Sequence, residues 1–292
     1  MTFSEYSQYA HTEIQRLCVE YMGMEKLPQV ILWAVPFLLL FTLIEFLVSQ
    51  KKQLKIYEKK DFWANVGVGI GNLVVNGIVQ GFLFVSVFYV YDISPLPMVP
   101  FTWWGFVLCF FFVDFLRYWV HRWGHERRVL WATHVTHHSS AKYNFAVTYR
   151  LSWTQSIKFI FFLPVAFFKF NPIMFFICHQ IAVLAQFWYH TTLIKKLPAF
   201  IEYIFVTPSH HRVHHGKNDI YIDKNYGTVF IIWDRIFGTF QEEIEEPVYG
   251  ITTELNTYNP VTLNFHVWQD IFRDVIHAKS IKEGLHAIFR RT

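Results

Sequence analysis

The sequence predicts an all-α integral membrane bundle of four to five membrane helices topped by a cytosolic helical cap. Three observations carry that prediction. Of 292 residues, 53% are hydrophobic and only 16% charged, against about 25% charged in a soluble domain. Apolar runs of roughly 20 residues, enough to cross a hydrocarbon core, recur along the chain. Basic residues gather in alternate loops between those runs, as a membrane topology requires. No Pro-, Ser- or Gly-biased linker divides the chain. Residues 1–292 therefore read as one integral-membrane domain: N-terminal helices and two spans over 1–100, a central region over 101–240, and a C-terminal cytosolic or interfacial helix over 241–292.

The opening "MTFSEYSQYAHTEIQRLCVEYMG" lacks the basic start and apolar core of a signal peptide and predicts a partly amphipathic helix. Residues 29–49 are the first span and 64–91 the second. Gly67, Gly71, Gly77 and Gly81 stand in small-xxx-small spacing, which predicts close approach of membrane helices. Residues 101–120 form the third span. The stretch 157–170, the turn "NP" and the stretch 173–189 predict a helical hairpin whose first arm is kinked at Pro164 or crosses only partly. After residue 216 the chain turns polar, with tight turns at Gly227 and Gly238. Phe265, Trp268, Ile271, Phe272, Val275 and Ile276 recur at helical spacing, so a last amphipathic helix lies in the bilayer interface or packs on the cap.

Orientation follows from lysine and arginine. Five lysines occupy "SQKKQLKIYEKK", none occupies "DISPLPMVPFT", and Arg122, Arg127, Arg128, Lys195 and Lys196 follow the later apolar runs. The basic segments, and the histidine clusters among them, are thereby assigned to the cytoplasmic side. The net charge of +4 reflects this topology and implies no nucleic-acid partner. The three cysteines, Cys18, Cys109 and Cys178, form no CxxC pair or disulfide framework and read as small core residues.

Histidine carries the chemistry. His121 and His125 are spaced i, i+4 on the continuation of the third span; His134, His137 and His138 are spaced i, i+3, i+4, and so are His211, His214 and His215. Each set presents one helix face. His190 closes the hairpin, with Gln186 one turn before it. Nine imidazoles are too many for one metal, which takes three or four protein ligands, and suit two. Imidazole serves Zn, Cu, Fe and Ni alike. Asp114, seven residues before His121 and inside a span, reads as the partner that fixes a ligand's tautomer, or else pairs with Arg117. His210 falls off the ligand face. His11, His179, His266, His277 and His286 read as ordinary polar residues.

The words "HRWGH", "HVTHH" and "HHRVHH", followed by "NYGTVFIIWDRIFGTF", resemble the fatty acid hydroxylase/sterol desaturase superfamily of membrane di-iron oxidoreductases. That resemblance makes residues 101–240 the catalytic region. It implies two Fe ions that use O2 to oxidise an unactivated C–H bond of a membrane lipid. The target is an ether α-carbon of an alkylglycerol, with cleavage to an aldehyde, or a carbon of a fatty acyl chain or sterol, hydroxylated or desaturated. No Rossmann fingerprint, haem motif or cytochrome domain is present in the sequence, so electrons come from a separate donor or an external reductant such as tetrahydrobiopterin. Glu126, beside His125, joins Asp114 as a catalytic candidate. Asn225, Tyr226 and Asp234 are candidates for contacting the ligands or gating the substrate. Two other classes use the same donors: a dizinc membrane hydrolase, and a metal transporter, which would want polar ligands in mid-span.

Overall fold

The computed structural model describes residues 2–292, and among them every regular element is helical. Helix α1 (Phe3–Met22) starts at a capping box in which Thr2 and Glu5 satisfy each other's backbone N–H, and ends at Gly23 in the left-handed region. Three helices are long and apolar enough to cross a membrane: α2 (Val30–Lys52), α3 (Lys59–Ile93) and α4 (Trp103–Glu126). At 1.5 Å per residue, the 35 residues of α3 reach about 50 Å, well beyond the roughly 30 Å hydrocarbon thickness. The surplus projects one end of α3, with Asp61 and Asn65, into the layer that holds the histidines. The same geometry carries His121 and His125 on the last turn and a half of α4.

The expected hairpin forms differently. Residues 155–162 wind as a 3-10 helix that continues into the short α7 (Leu163–Phe167), after α5 (Arg128–Trp131) and α6 (Val135–His138). Its second arm, α8 (Pro172–Ala185), has 14 residues, about 21 Å and too short to cross alone. Both arms pack against α4 through Cys109, Val113, Phe162, Val165, Met174 and Phe175, all buried. Helices α9 (Ala199–Ile204), α10 (Pro208–His214) and α11 (Ile232–Phe237), with the connections to residue 250, form the cap over the histidines.

The C-terminal region is two helices where one was expected: α12 (Pro260–Ile276) and α13 (Ile281–Phe289). One face of α12 packs on α3 and α6, burying Leu263 and Ile271, while Phe272 and Ile276 stay exposed. Asn264 accepts the Trp153 backbone N–H at 2.8 Å, and Thr136 Oγ1 donates to the Leu263 carbonyl. Apolar side chains such as Leu32, Trp33, Phe37, Leu73 and Ile78 are exposed along α2 and α3, the surface a bilayer covers.

The glycines of α3 serve a different purpose from the expected helix–helix seam. A β-carbon on Gly71 would lie 2.3 Å from the Trp153 indole, and one on Gly67 would lie 3.0 Å from Pro260 Cγ, whereas Gly77 and Gly81 have nothing within 4 Å. The crowded pair admits loop and C-terminal residues onto α3, not a neighbouring span. Gly71→Ala is therefore expected to lower the melting temperature of the detergent-solubilised protein by several degrees, the overpacking cost being about 1–3 kcal/mol. Gly81→Ala should leave it unchanged.

Candidate metal centre

Two groups of imidazoles meet where α4, α6, α10 and the turn after α8 converge. One comprises His121, His125, His134, His138 and His214; the other comprises His137, His190, His211 and His215. Within each group one ring nitrogen per residue lies within 4.8 Å of all the others. The split follows from helix geometry. Neighbouring residues on a helix point about 100° apart, so α6 sends His138 to the first group and His137 to the second. At the end of α10, His214 goes to the first group and His211 and His215 to the second. His134, one turn before His138, shares its side.

Backbone carbonyls set the tautomers. Nδ1–H of His121 donates to the Tyr226 carbonyl at 2.8 Å, that of His190 to Gln186 at 2.6 Å, and that of His214 to Lys224 at 3.0 Å. Each of these rings then carries its lone pair on Nε2. His190 Nε2 lies 3.1 Å from His137 Nε2 and 3.0 Å from His211 Nε2; His121 Nε2 and His138 Nε2 lie 3.0 and 3.2 Å from His134 Nε2. His125 Nε2 and His214 Nε2 are buried with no hydrogen-bond partner. Lone pairs packed this closely repel one another unless a cation lies among them. The donor set fits one metal ion per group, and its neutral, borderline nitrogens suit iron or zinc. Burial reinforces the neutral state: it holds His190 down to about 3 and His214 to about 4, and pushes His134, His137, His138, His211 and His215 well below the ordinary imidazole value.

Buried ionic groups fix the ligand-bearing segments. Arg150 donates to Asp61 at 3.0 Å, to Asn65 at 2.8 Å and to the Thr136 carbonyl beside His137 at 3.0 Å, tying α6 to α3. Glu45, inside α2, accepts from Tyr57 Oη, the Phe145 N–H and Thr191 Oγ1, and so anchors the residue after His190. Arg212 donates to the Thr191 and Ile194 carbonyls and forms a bidentate pair with Glu243 at 2.6 Å. None of the three was singled out from the sequence. For Glu45 the signal was there, since a carboxylate inside a span is costly unless engaged.

Asp114 touches no histidine and forms no ion pair with Arg117. It accepts N–H groups from Val229 and Phe230 and the Trp233 indole N–H, at 2.9–3.2 Å. Seven helical residues are about 10 Å of axial rise, too far for a short carboxylate to reach His121, and the cap turn supplies nearer donors. Glu126 pairs with Arg122 at 2.9 Å and lies 3.6 Å from Arg291. As the helical successor of His125 it points away from that ring. The carboxylate near His125 Nδ1 is Asp223, at 3.7 Å.

Asn225 clasps the cap through the His210 and Gln241 carbonyls and the Gln241 N–H. Its side chain does not reach the ligands. Tyr226 does: its ring packs on His121, His125 and His214, and its hydroxyl is buried without a partner. Asp234 accepts the Tyr226 and Gly227 N–H groups and the Thr239 hydroxyl at 2.6–2.7 Å, which aims the Tyr226 carbonyl at His121. Burial raises the Asp234 carboxyl to about 6 against those donors. His210 lies outside both groups and meets Glu202 at 3.0 Å.

Comparison with known proteins agrees with this geometry. Residues 106–239 match the fatty acid hydroxylase family model. Alkylglycerol monooxygenase of Homo sapiens is 38% identical over 252 residues, covering 84% of this chain and 56% of the relative. The Danio rerio alkylglycerol monooxygenase is 34% identical over 276 residues, covering 91% of this chain and 60% of the relative. An ornithine lipid hydroxylase of Rhizobium tropici is 28% identical over 143 residues, 46% of this chain and 41% of that protein. The chain thus spans a little over half the length of these two alkylglycerol monooxygenases. No solved structure matches it. Residues 106–239, which contain every histidine of both groups, are a fatty acid hydroxylase domain.

Proposed function

We propose that the protein is a multi-pass membrane oxygenase that uses O2 to hydroxylate a C–H bond of a lipid, with two iron ions held by the nine histidines. The observation that carries this reading is the donor set: two converging groups of neutral imidazoles with no carboxylate among them. When bound, the iron pair would activate O2 so that one oxygen atom enters the C–H bond and the other leaves as water, with two electrons and two protons drawn from an external donor. The relatives' names favour an alkylglycerol as substrate, attacked at the ether α-carbon; the resulting hemiacetal collapses to an aldehyde and a glycerol derivative. Fatty acyl or sterol hydroxylation is the runner-up.

The chain's own residues do the rest. His121, His125, His134, His138 and His214 would hold one ion, and His137, His190, His211 and His215 the other. The carbonyls of Tyr226, Gln186 and Lys224 keep three rings in the binding tautomer. The apolar faces of α4 and α8 exclude water and hold the alkyl chain, each buried methylene contributing roughly 0.8 kcal/mol. The short arms, α7 and α8, enter the bilayer partway, and the lysine-rich loop supports a cytoplasmic position for the cap and its metals. Electrons come from a separate donor or a reduced pterin such as tetrahydrobiopterin.

Lipid extracts from cells with and without the protein, grown under 18O-labelled O2, test this by mass spectrometry. Label is expected in a long-chain aldehyde, or in a stable alcohol if an acyl chain or sterol is the substrate. Unlabelled product, or turnover without O2, would favour metal-assisted hydrolysis instead.

A further inference from the structure

On the membrane side of the metal centre, α4, the 155–162 segment and α8 turn three basic side chains inward: Arg117, Lys158 and His179. Arg117 is the charged neighbour of both the others. Among the described residues, neither Arg117 nor Lys158 makes an ion pair or side-chain hydrogen bond. Arg117 Nε and His179 Nδ1 are fully buried without a partner. Asp114, one turn from Arg117, is already engaged by Val229, Phe230 and Trp233.

Arg117, Lys158 and His179 are each only partly buried. The Arg117 Nη atoms and Lys158 Nζ make no hydrogen bond and are not among the fully covered atoms, so these charged tips border open space. Phe159, Phe162 and Phe175 pack round His179 and make its surroundings apolar. Lys158 adjoins the metal centre at Gly124: a β-carbon there would lie 3.7 Å from Lys158 Nζ and 3.8 Å from His134 Cδ2. Cations enclosed among apolar spans are costly unless compensated, and the nine neutral imidazoles offer no negative charge.

We propose that Arg117 and Lys158 bind an anionic oxygen group of the lipid substrate, a phosphate or a carboxylate, within a few bonds of the carbon presented to the metals. Arg117 supplies a planar fork of donors and Lys158 a point charge. The alkyl chain then runs among the phenylalanines. The inference rests on the reading that a lipid enters this centre, and it adds what selects that lipid.

The test is equilibrium binding to the full, metal-loaded chain in neutral detergent under nitrogen, so that no turnover is involved and failure of the oxygenase reading is separable. Three probes are compared: 1-O-hexadecylglycerol, its 3-phosphate, and palmitate. At least one anionic probe is expected to bind about tenfold more tightly than the neutral ether, and which one identifies the headgroup. Lys158→Met and Arg117→Met should each abolish that preference while changing neutral-ether binding less than about twofold; Lys158→Arg should retain it. Metal content and melting temperature report whether each variant folds. If Arg117→Met does not fold, the wild-type preference and the Lys158 pair decide alone. Equal binding of all three probes, or equal loss of neutral and anionic binding on substitution, would overturn the proposal.

Discussion

His190→Ala is expected to remove one metal ion per chain and to lower lipid oxidation by at least about a hundredfold. Its Nε2 faces both His137 and His211 at 3.0–3.1 Å, so it is the central donor of the four-histidine group. Loss of residues that merely support a ligand costs 10–100-fold in affinity or activity, and loss of the ligand itself should exceed that. The five-histidine group shares no ring with the other and should keep its ion. His210→Ala is the control: His210 adjoins His211 in sequence but pairs with Glu202, so both ions should remain. Elemental analysis of the purified variants, set against wild-type protein, reads this directly. A wild-type chain holding one ion, or a His210 variant as depleted as the His190 variant, would contradict two separate centres.

Acidification from pH 7.5 to 5 is expected to destabilise the metal-free protein sharply and to strip metal from the loaded one. Burial lowers His190 to about 3 and His214 to about 4, whereas the unfolded chain titrates near 6.5. The unfolded state therefore binds more protons below that value, and stability falls as pH falls. The contribution is complete above 6.5 and is lost progressively between 6.5 and the folded values. Each histidine contributes about 1.4 kcal/mol per pH unit in that window, so the two together remove roughly 3 kcal/mol per unit. That is a large share of the usual 5–15 kcal/mol of net stability. The remaining ligands outside the membrane helices shift in the same direction. In the loaded protein the ions compete with protons for the same lone pairs, so metal should delay the loss, not prevent it. Melting temperature and metal content measured across this range check the expectation. A melting temperature flat from pH 7.5 to 5 would mean that these rings are not buried as neutral donors.

The three long spans, the membrane class and the donor residues were legible because each depends on local pattern alone. Apolar run length sets what crosses a bilayer, and i, i+3, i+4 spacing aligns imidazoles through the fixed pitch of one helix. Gly67 and Gly71 show where such reasoning stops. Their spacing matches a helix seam, yet the partners that fill the gaps, Trp153 and Pro260, come from distant chain segments. Asp114 shows the same limit: the donors it serves lie more than a hundred residues away.

By itself the sequence determined that the chain enters a membrane and concentrates neutral nitrogen donors at the ends of its helices. Tertiary structure alone decided that those donors divide five and four, that three backbone carbonyls aim them, and that Arg117 and Lys158 find no anionic partner. The physical reason is range. Helical periodicity is enforced by bonds and hydrogen bonds within one turn, whereas partition and pairing depend on which distant segments the packed spans bring within about 3 Å of one another.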